Sequence, residues 1–169
     1  MTPEQIALVQ DSFKKVVPIA ANAADLFYDR LFAIAPEFRA LFPQDLRDQK
    51  KKLIAMLATV VANLHELEKM LPAVQDLGRR HMTYGVTADH YTPVGEALLW
   101  ALEQGLGTDF TPAVKAAWNE AYLTLSGAMK NAATGDIQAG SPGNVRPISR
   151  GSEAMHFVRG RQPADARRA

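Results

Sequence analysis

Along the first 135 residues, apolar positions recur with the spacing of one face of a helix, and the gaps between runs hold residues that start and stop helices. Thr2-Pro3-Glu4-Gln5 supplies a capping threonine, a first-turn proline and a glutamine three residues after the cap, which predicts a helix from about Pro3. Its inner face is Ile6, Val9, Phe13, Val16 and Val17, and Pro18 closes or bends it. Ala23, Leu26, Phe27, Leu31 and Ile34 predict a second helix that ends before Pro36, and Pro36 opens a short one holding Phe38, Leu41 and Phe42. From Asp45 to Leu64 one stripe carries Leu53, Met56, Leu57, Val60, Val61 and Leu64. After Pro72 comes a short segment with Val74, Leu77 and His81, stopped by Gly85. Thr92-Pro93 lies near the start of a helix facing inward through Val94, Leu98, Leu99, Leu102 and Leu106. Thr111-Pro112 starts the last helix, which runs through Val114, Trp118, Tyr122, Leu125 and Met129 to Gly135. No stretch alternates as a strand does and no internal repeat stands out, so the pattern predicts an all-α domain of about seven helices over residues 1–135.

Composition narrows this further. A chain of 169 residues can bury the core of one ordinary domain, and it has no apolar run near the ~20 residues of a membrane span. The N-terminus lacks the basic and apolar segments of a secretory leader, which leads us to expect a cytoplasmic protein. The absence of cysteine excludes disulfides, thiolate metal sites and thiolate-ligated haem together. Charge is uneven: residues 1–135 carry 13 Lys and Arg against 15 Asp and Glu, whereas residues 136–169 carry six Arg against three acids. That second part is rich in Gly, Ser, Pro and Arg and shows no period, so we expect a basic, disordered C-terminal extension. Its role is either none beyond solvation or a weak electrostatic contact with a membrane surface, nucleic acid or an acidic partner, and no specific nucleic-acid site is expected. Ala154-Met155-His156-Phe157-Val158 is its only apolar patch and could dock locally on the domain.

The residue with the most chemical content is His81, an imidazole on the inner face of an amphipathic segment, which is the axial ligand a haem iron requires. A single histidine on such a face is more often a hydrogen-bonded core residue. Here its neighbours along the chain, Tyr28, Phe42, Gln49 and Leu53 before it and Val86, Tyr91 and Val94 after it, come in an order that can enclose one flat apolar cofactor. By themselves Tyr28 reads equally as a core tyrosine, Gln49 as a polar residue on a charged helix, and Lys52 as an exposed charge within Lys50-Lys51-Lys52.

Phe27-Tyr28-Asp29-Arg30-Leu31-Phe32, Leu41-Phe42, Leu71-Pro72-Ala73-Val74, Leu77-Gly78-Arg79-Arg80-His81, His90-Tyr91, Val94-Gly95-Glu96 and Ala116-Ala117-Trp118, in that order, resemble a single-domain bacterial globin. The similarity is to neuroglobin-like bacterial globins and to the globin domain of flavohaemoglobins, and it covers residues 1 to about 133. It implies a globin fold, haem b (iron protoporphyrin IX) as cofactor and His81 as the proximal iron ligand. Phe42 matches the phenylalanine that packs flat on the porphyrin. Tyr28 matches the distal tyrosine, and Gln49 the distal residue that is histidine in many animal globins. Leu53 lies one turn beyond Gln49 on the same face, Lys52 resembles a lysine that reaches a haem propionate, and Leu77, Arg80, Val86, Tyr91 and Val94 complete the implied cofactor-binding set.

The resemblance implies a protein that binds O2, NO and CO, in oxygen binding, storage and transport or in nitric oxide scavenging. A phenol from Tyr28 and an amide from Gln49 would favour a polarised diatomic ligand, giving tight and slowly released oxygen. Two alternatives stand beside this: a nitric oxide dioxygenase, and a gas or redox sensor acting through its tail. The residues after 135 hold no GxGxxG between a strand and a helix and leave no room for a flavin or nicotinamide domain, so turnover would draw electrons from a separate reductase. In flavohaemoglobins a tyrosine and a glutamate support the ligating histidine. Tyr91 matches the tyrosine, but Ala132-Ala133-Thr134-Gly135-Asp136 offers only Asp136, out of register and past a glycine, so a full peroxidase-like push is not expected.

Overall fold

The computed structural model of the chain describes residues 1–138, with side chains to residue 134. Helix α1 spans Pro3–Val16, α2 Ala20–Ile34, α3 Arg47–Ala62, α4 Leu67–Thr83, α5 Tyr91–Leu106 and α6 Pro112–Gln138. Short 3-10 turns join them, among them Pro36–Leu41, so the seventh predicted helix forms as a 3-10 segment. Among the described residues there is no strand. No helix among them is long and apolar enough to cross a membrane.

The start signals act as expected. Thr2 Oγ1 accepts from Gln5 N–H at 3.2 Å while Gln5 Oε1 accepts from Thr2 N–H at 2.9 Å, so two donors at the mouth of α1 are satisfied reciprocally. Thr111 Oγ1 accepts from Val114 N–H at 3.2 Å in the same role for α6. Two boundaries differ from the sequence reading. Pro72 sits inside α4, whose start lies five residues earlier at Leu67. The N–H that proline lacks would have met the carbonyl of Glu68 in the first turn, so one bond near a helix end is lost, and packing of α4 along α6 outweighs it. At the other end, α6 continues past Gly135 to Gln138 because an isolated glycine weakens a helix by only ~1 kcal/mol. The remainder of the expected extension, including Ala154 to Val158, lies outside the described residues.

The most extensive pairings are α2 on α5 and α4 on α6, followed by α1 on α6. The inward faces of α1, α2, α5 and α6 build one core around Val9, Phe27, Leu31, Ala97, Leu102 and Trp118. Trp118 donates its indole N–H to Ser12 Oγ at 2.9 Å, and the Ser12 hydroxyl donates to the Val9 carbonyl at 3.0 Å, which ties α6 to α1 and leaves no indole proton unsatisfied.

Gly78 sets how closely α4 approaches α6. A Cβ built there would lie 2.5 Å from the Met129 carbonyl oxygen and 2.7 Å from its Cα, inside any tolerable contact with backbone. Gly78→Ala should therefore lower the urea midpoint by roughly 1–3 kcal/mol equivalent despite alanine's better helix propensity. Gly127, in α6 with open space around it, is the control: Gly127→Ala should be neutral or stabilising by up to about 1 kcal/mol. Equal responses at the two positions would contradict the close crossing.

Candidate functional site

A cavity opens between α3, α4, α5 and α6, holding ≈ 1150 Å³ of space outside protein atoms, its mouth included. Its wall is almost wholly apolar: Phe42 after the 3-10 turn, Leu53, Leu57 and Val60 from α3, Leu77 from α4, Val86, then Val94 and Leu98 from α5. Phe42 does not continue the turn as the sequence suggested. It stands in extended backbone directly after Leu41, and from there its side chain joins the wall.

His81 lies in this wall with 6% of its surface exposed. Two local devices fix it. Its Nδ1 lies 2.7 Å from the Leu77 carbonyl one turn back, which makes Nδ1–H the donor and leaves the Nε2 lone pair as the coordinating position. Beyond it α4 ends at Gly85, whose φ of 86° only glycine adopts easily; the Gly85 N–H reaches the Met82 carbonyl at 3.0 Å and the Val86 N–H reaches the His81 carbonyl at 3.0 Å. This cap turns Val86 back to the cavity beside His81. Burial holds the imidazole below its ordinary pKa, against a smaller opposing effect of the Leu77 bond, so the ring is neutral at physiological pH, the form that binds a metal.

Neither Tyr28 nor Gln49 lines the cavity, but each adjoins a residue that does, Phe42 and Leu53 respectively. Tyr28 is 1% exposed and packs its ring edge-on against Phe42, centroids 5.6 Å apart, while Gln49, 4% exposed, lies one turn before Leu53. Tyr28 Oη and Gln49 Nε2 are the buried side-chain polar atoms left without a hydrogen-bond partner among the described residues. Each such atom costs roughly 1–3 kcal/mol. They lie on the packed helices α2 and α3, two donors without an acceptor among the described residues. Burial also raises the Tyr28 phenol well above its ordinary value, so it stays protonated and remains a donor.

Of the other residues singled out from sequence, Tyr91 lines the cavity within the cluster of Val74 and Met129, with Lys130 Nζ 5.4 Å above its ring. The Tyr122 hydroxyl donates to the Tyr91 carbonyl. Lys52 and Arg80 are not part of the wall. Lys52 is half-buried on α3, and Arg80 points along α4 to Asp76, 2.6 Å away, because the two lie four residues apart on one helix face. The wall also includes residues the sequence reading did not assign to it, notably Phe38, His90, Trp118 and Ser126. Of these, His90 was visible beside Tyr91 but had no periodic signal of its own.

A family model for globins matches residues 25–129, most of the described chain. The chain belongs to the globin family. This globin is 32% identical over 122 residues to a flavohaemoprotein of Bacillus subtilis (strain 168), a match covering 68% of the chain and 31% of that protein. It is 31% identical over 139 residues to a flavohaemoprotein of Rhodopirellula baltica, covering 77% of the chain and 34% of the relative. The globin thus spans about a third of the length of these curated relatives. Among solved structures it is similar to an engineered carbene transferase, a variant of a candidate nitric oxide dioxygenase of Rhodothermus marinus, with a TM-score of 0.73 and 25% identity, covering 82% of this chain and 97% of that one.

Family and relatives imply haem binding, and the residues fit it. The apolar wall suits a porphyrin face, the neutral His81 offers one metal-binding nitrogen, and the unpartnered Tyr28 and Gln49 atoms await a polar ligand that the apolar wall does not provide.

Proposed function

We propose that this globin holds haem b through His81 and reversibly binds dioxygen, nitric oxide and carbon monoxide near Tyr28 and Gln49, acting in the cytoplasm in oxygen binding and storage or in nitric oxide removal. The observation that carries this is an apolar cavity whose wall bears a neutral imidazole, together with two buried donors, unpartnered among the described residues, beside the wall residues Phe42 and Leu53. Bound there, haem supplies an iron centre that exchanges diatomic ligands. The chain's own residues supply the rest. His81, steadied by Leu77, anchors the cofactor from α4, and Phe42, Leu53, Val94 and Leu98 exclude water from it. The Tyr28 phenol and Gln49 amide each donate toward negative charge on a diatomic ligand, worth about 1–3 kcal/mol apiece on the scale of bonds to charged groups. Carbon monoxide, less polarised, gains less, so discrimination in favour of oxygen follows from the same two atoms.

A second reading, nitric oxide dioxygenation with electrons from a separate reductase, is favoured by the likeness to flavohaemoproteins and to a candidate nitric oxide dioxygenase. The test is to give the haem-loaded protein repeated additions of nitric oxide in air-saturated buffer and to count nitrate per chain, with and without a flavin reductase. Binding alone gives at most about one nitrate per chain under both conditions. Many nitrates per chain only with the reductase establishes the second reading. If the visible spectrum does not change on adding oxygen or carbon monoxide to the reduced protein, both readings fail.

A further inference from the structure

The polar groups in the cavity wall are few, and most are committed. His81 Nδ1 meets the Leu77 carbonyl, the Tyr122 hydroxyl donates to the Tyr91 carbonyl, the Ser126 hydroxyl faces the Leu123 carbonyl at 3.4 Å, and Tyr91 is packed into the apolar cluster of Val74 and Met129. His90 differs. It closes the 3-10 turn Ala88–His90 directly before α5, lies half-buried in the wall, and sets its ring edge-on to Phe38 with centroids 4.6 Å apart. The Thr87 N–H donates to His90 Nδ1 at 3.1 Å, so the neutral ring must carry its proton on Nε2. No hydrogen bond from that Nε2–H is found among the described residues.

Three cations on the surrounding elements are already engaged. Arg80 pairs with Asp76 at 2.6 Å, Lys50 with Asp25 at 2.6 Å, and Arg39 spends its guanidinium on the carbonyls of Pro43 at 2.9 Å and Gln44 at 3.0 Å. Lys52 is off the wall. An apolar cavity that takes an anionic cofactor still has to receive its carboxylates. We propose that His90 does so, donating Nε2–H to a propionate of the haem, an inference that rests on the haem site proposed above. Phe38 and the Thr87 N–H hold the ring in one orientation and one tautomer before the cofactor arrives, so little side-chain freedom is lost on binding.

The test compares release of ferric haemin and of haemin dimethyl ester, which lacks the carboxylates, into an excess of a haem-scavenging apoprotein. His90→Leu should release haemin about tenfold faster than the wild type, the scale of one charge-assisted hydrogen bond, and release the ester at the wild-type rate. His90→Gln, which keeps an N–H donor, should stay near the wild type with both. The unsubstituted protein should itself release the ester about tenfold faster than haemin, an arm that depends on no variant folding. Equal release of the two cofactors by the wild type, no acceleration in His90→Leu, or the same acceleration with both cofactors would overturn the role of His90. A wild-type protein that takes up neither cofactor would instead overturn the haem site beneath it.

Discussion

Replacing His81 with alanine is expected to abolish the Soret band of protein loaded with haemin, and adding free imidazole is expected to restore it. His81 presents a neutral imidazole in the cavity wall with Nδ1 already bonded to the Leu77 carbonyl, so its other nitrogen is the iron ligand we propose. Loss of a supporting partner of a metal ligand typically costs roughly 10–100-fold in affinity, so loss of the ligand itself should cost on the order of 100-fold or more. Imidazole can enter the space the side chain leaves because the surrounding side chains of Leu77, Val86 and Met129 are apolar, and it can donate in its turn to the Leu77 carbonyl that His81 vacates. A variant that keeps a full Soret band without imidazole would assign the ligand elsewhere. The control is circular dichroism of the apoprotein, which should remain helical because α4 is held by its crossing with α6 at Gly78.

Tyr28→Phe and Gln49→Leu should each speed oxygen release by about tenfold or more, from ~1–3 kcal/mol per lost donor at 1.4 kcal/mol per decade, as stopped-flow mixing would measure. The same substitutions should not destabilise the apoprotein. Tyr28 Oη and Gln49 Nε2 are buried without partners, so removing either relieves a desolvation cost of roughly 1 kcal/mol or more, and the urea midpoint of the apoprotein should hold or rise. Opposite signs for ligand retention and fold stability mark atoms that serve the ligand and burden the fold. If the two were ordinary core residues, both variants would lower stability and leave the oxygen rate unchanged. Carbon monoxide release should respond less than oxygen release in both. Because burial raises the Tyr28 phenol well above its usual value, its contribution should be constant from neutral pH to about 10, the pKa of a free phenol.

What the sequence made legible followed from how locally each signal is encoded. Helix starts were readable where one side chain and one backbone N–H settle the matter, as at Thr2 and Thr111. The stop at Gly85 was readable because a positive φ selects glycine. Pro72 misled because a local rule, the missing donor, was outweighed by a non-local one, the packing of α4 against α6. Within the site, spacing alone placed Leu53 one turn after Gln49 and Val86 just past His81. It could not tell that Arg80 turns to Asp76, or that His90 is oriented by Thr87, since those depend on rotamers and on where a loop closes. For the same reason Tyr28 and Gln49 were ambiguous in sequence. Only the fold leaves their polar atoms without partners among the described residues.

Titration of the purified apoprotein with haemin, followed at the Soret maximum with reduced protein then examined for its iron–histidine vibration, tests the central assignment most directly. Saturation at one haemin per chain, with a vibration lost in His81→Ala, is the expected result. Absorbance that rises without saturating, or a saturable site whose iron–ligand vibration is unchanged by the loss of His81, would contradict it.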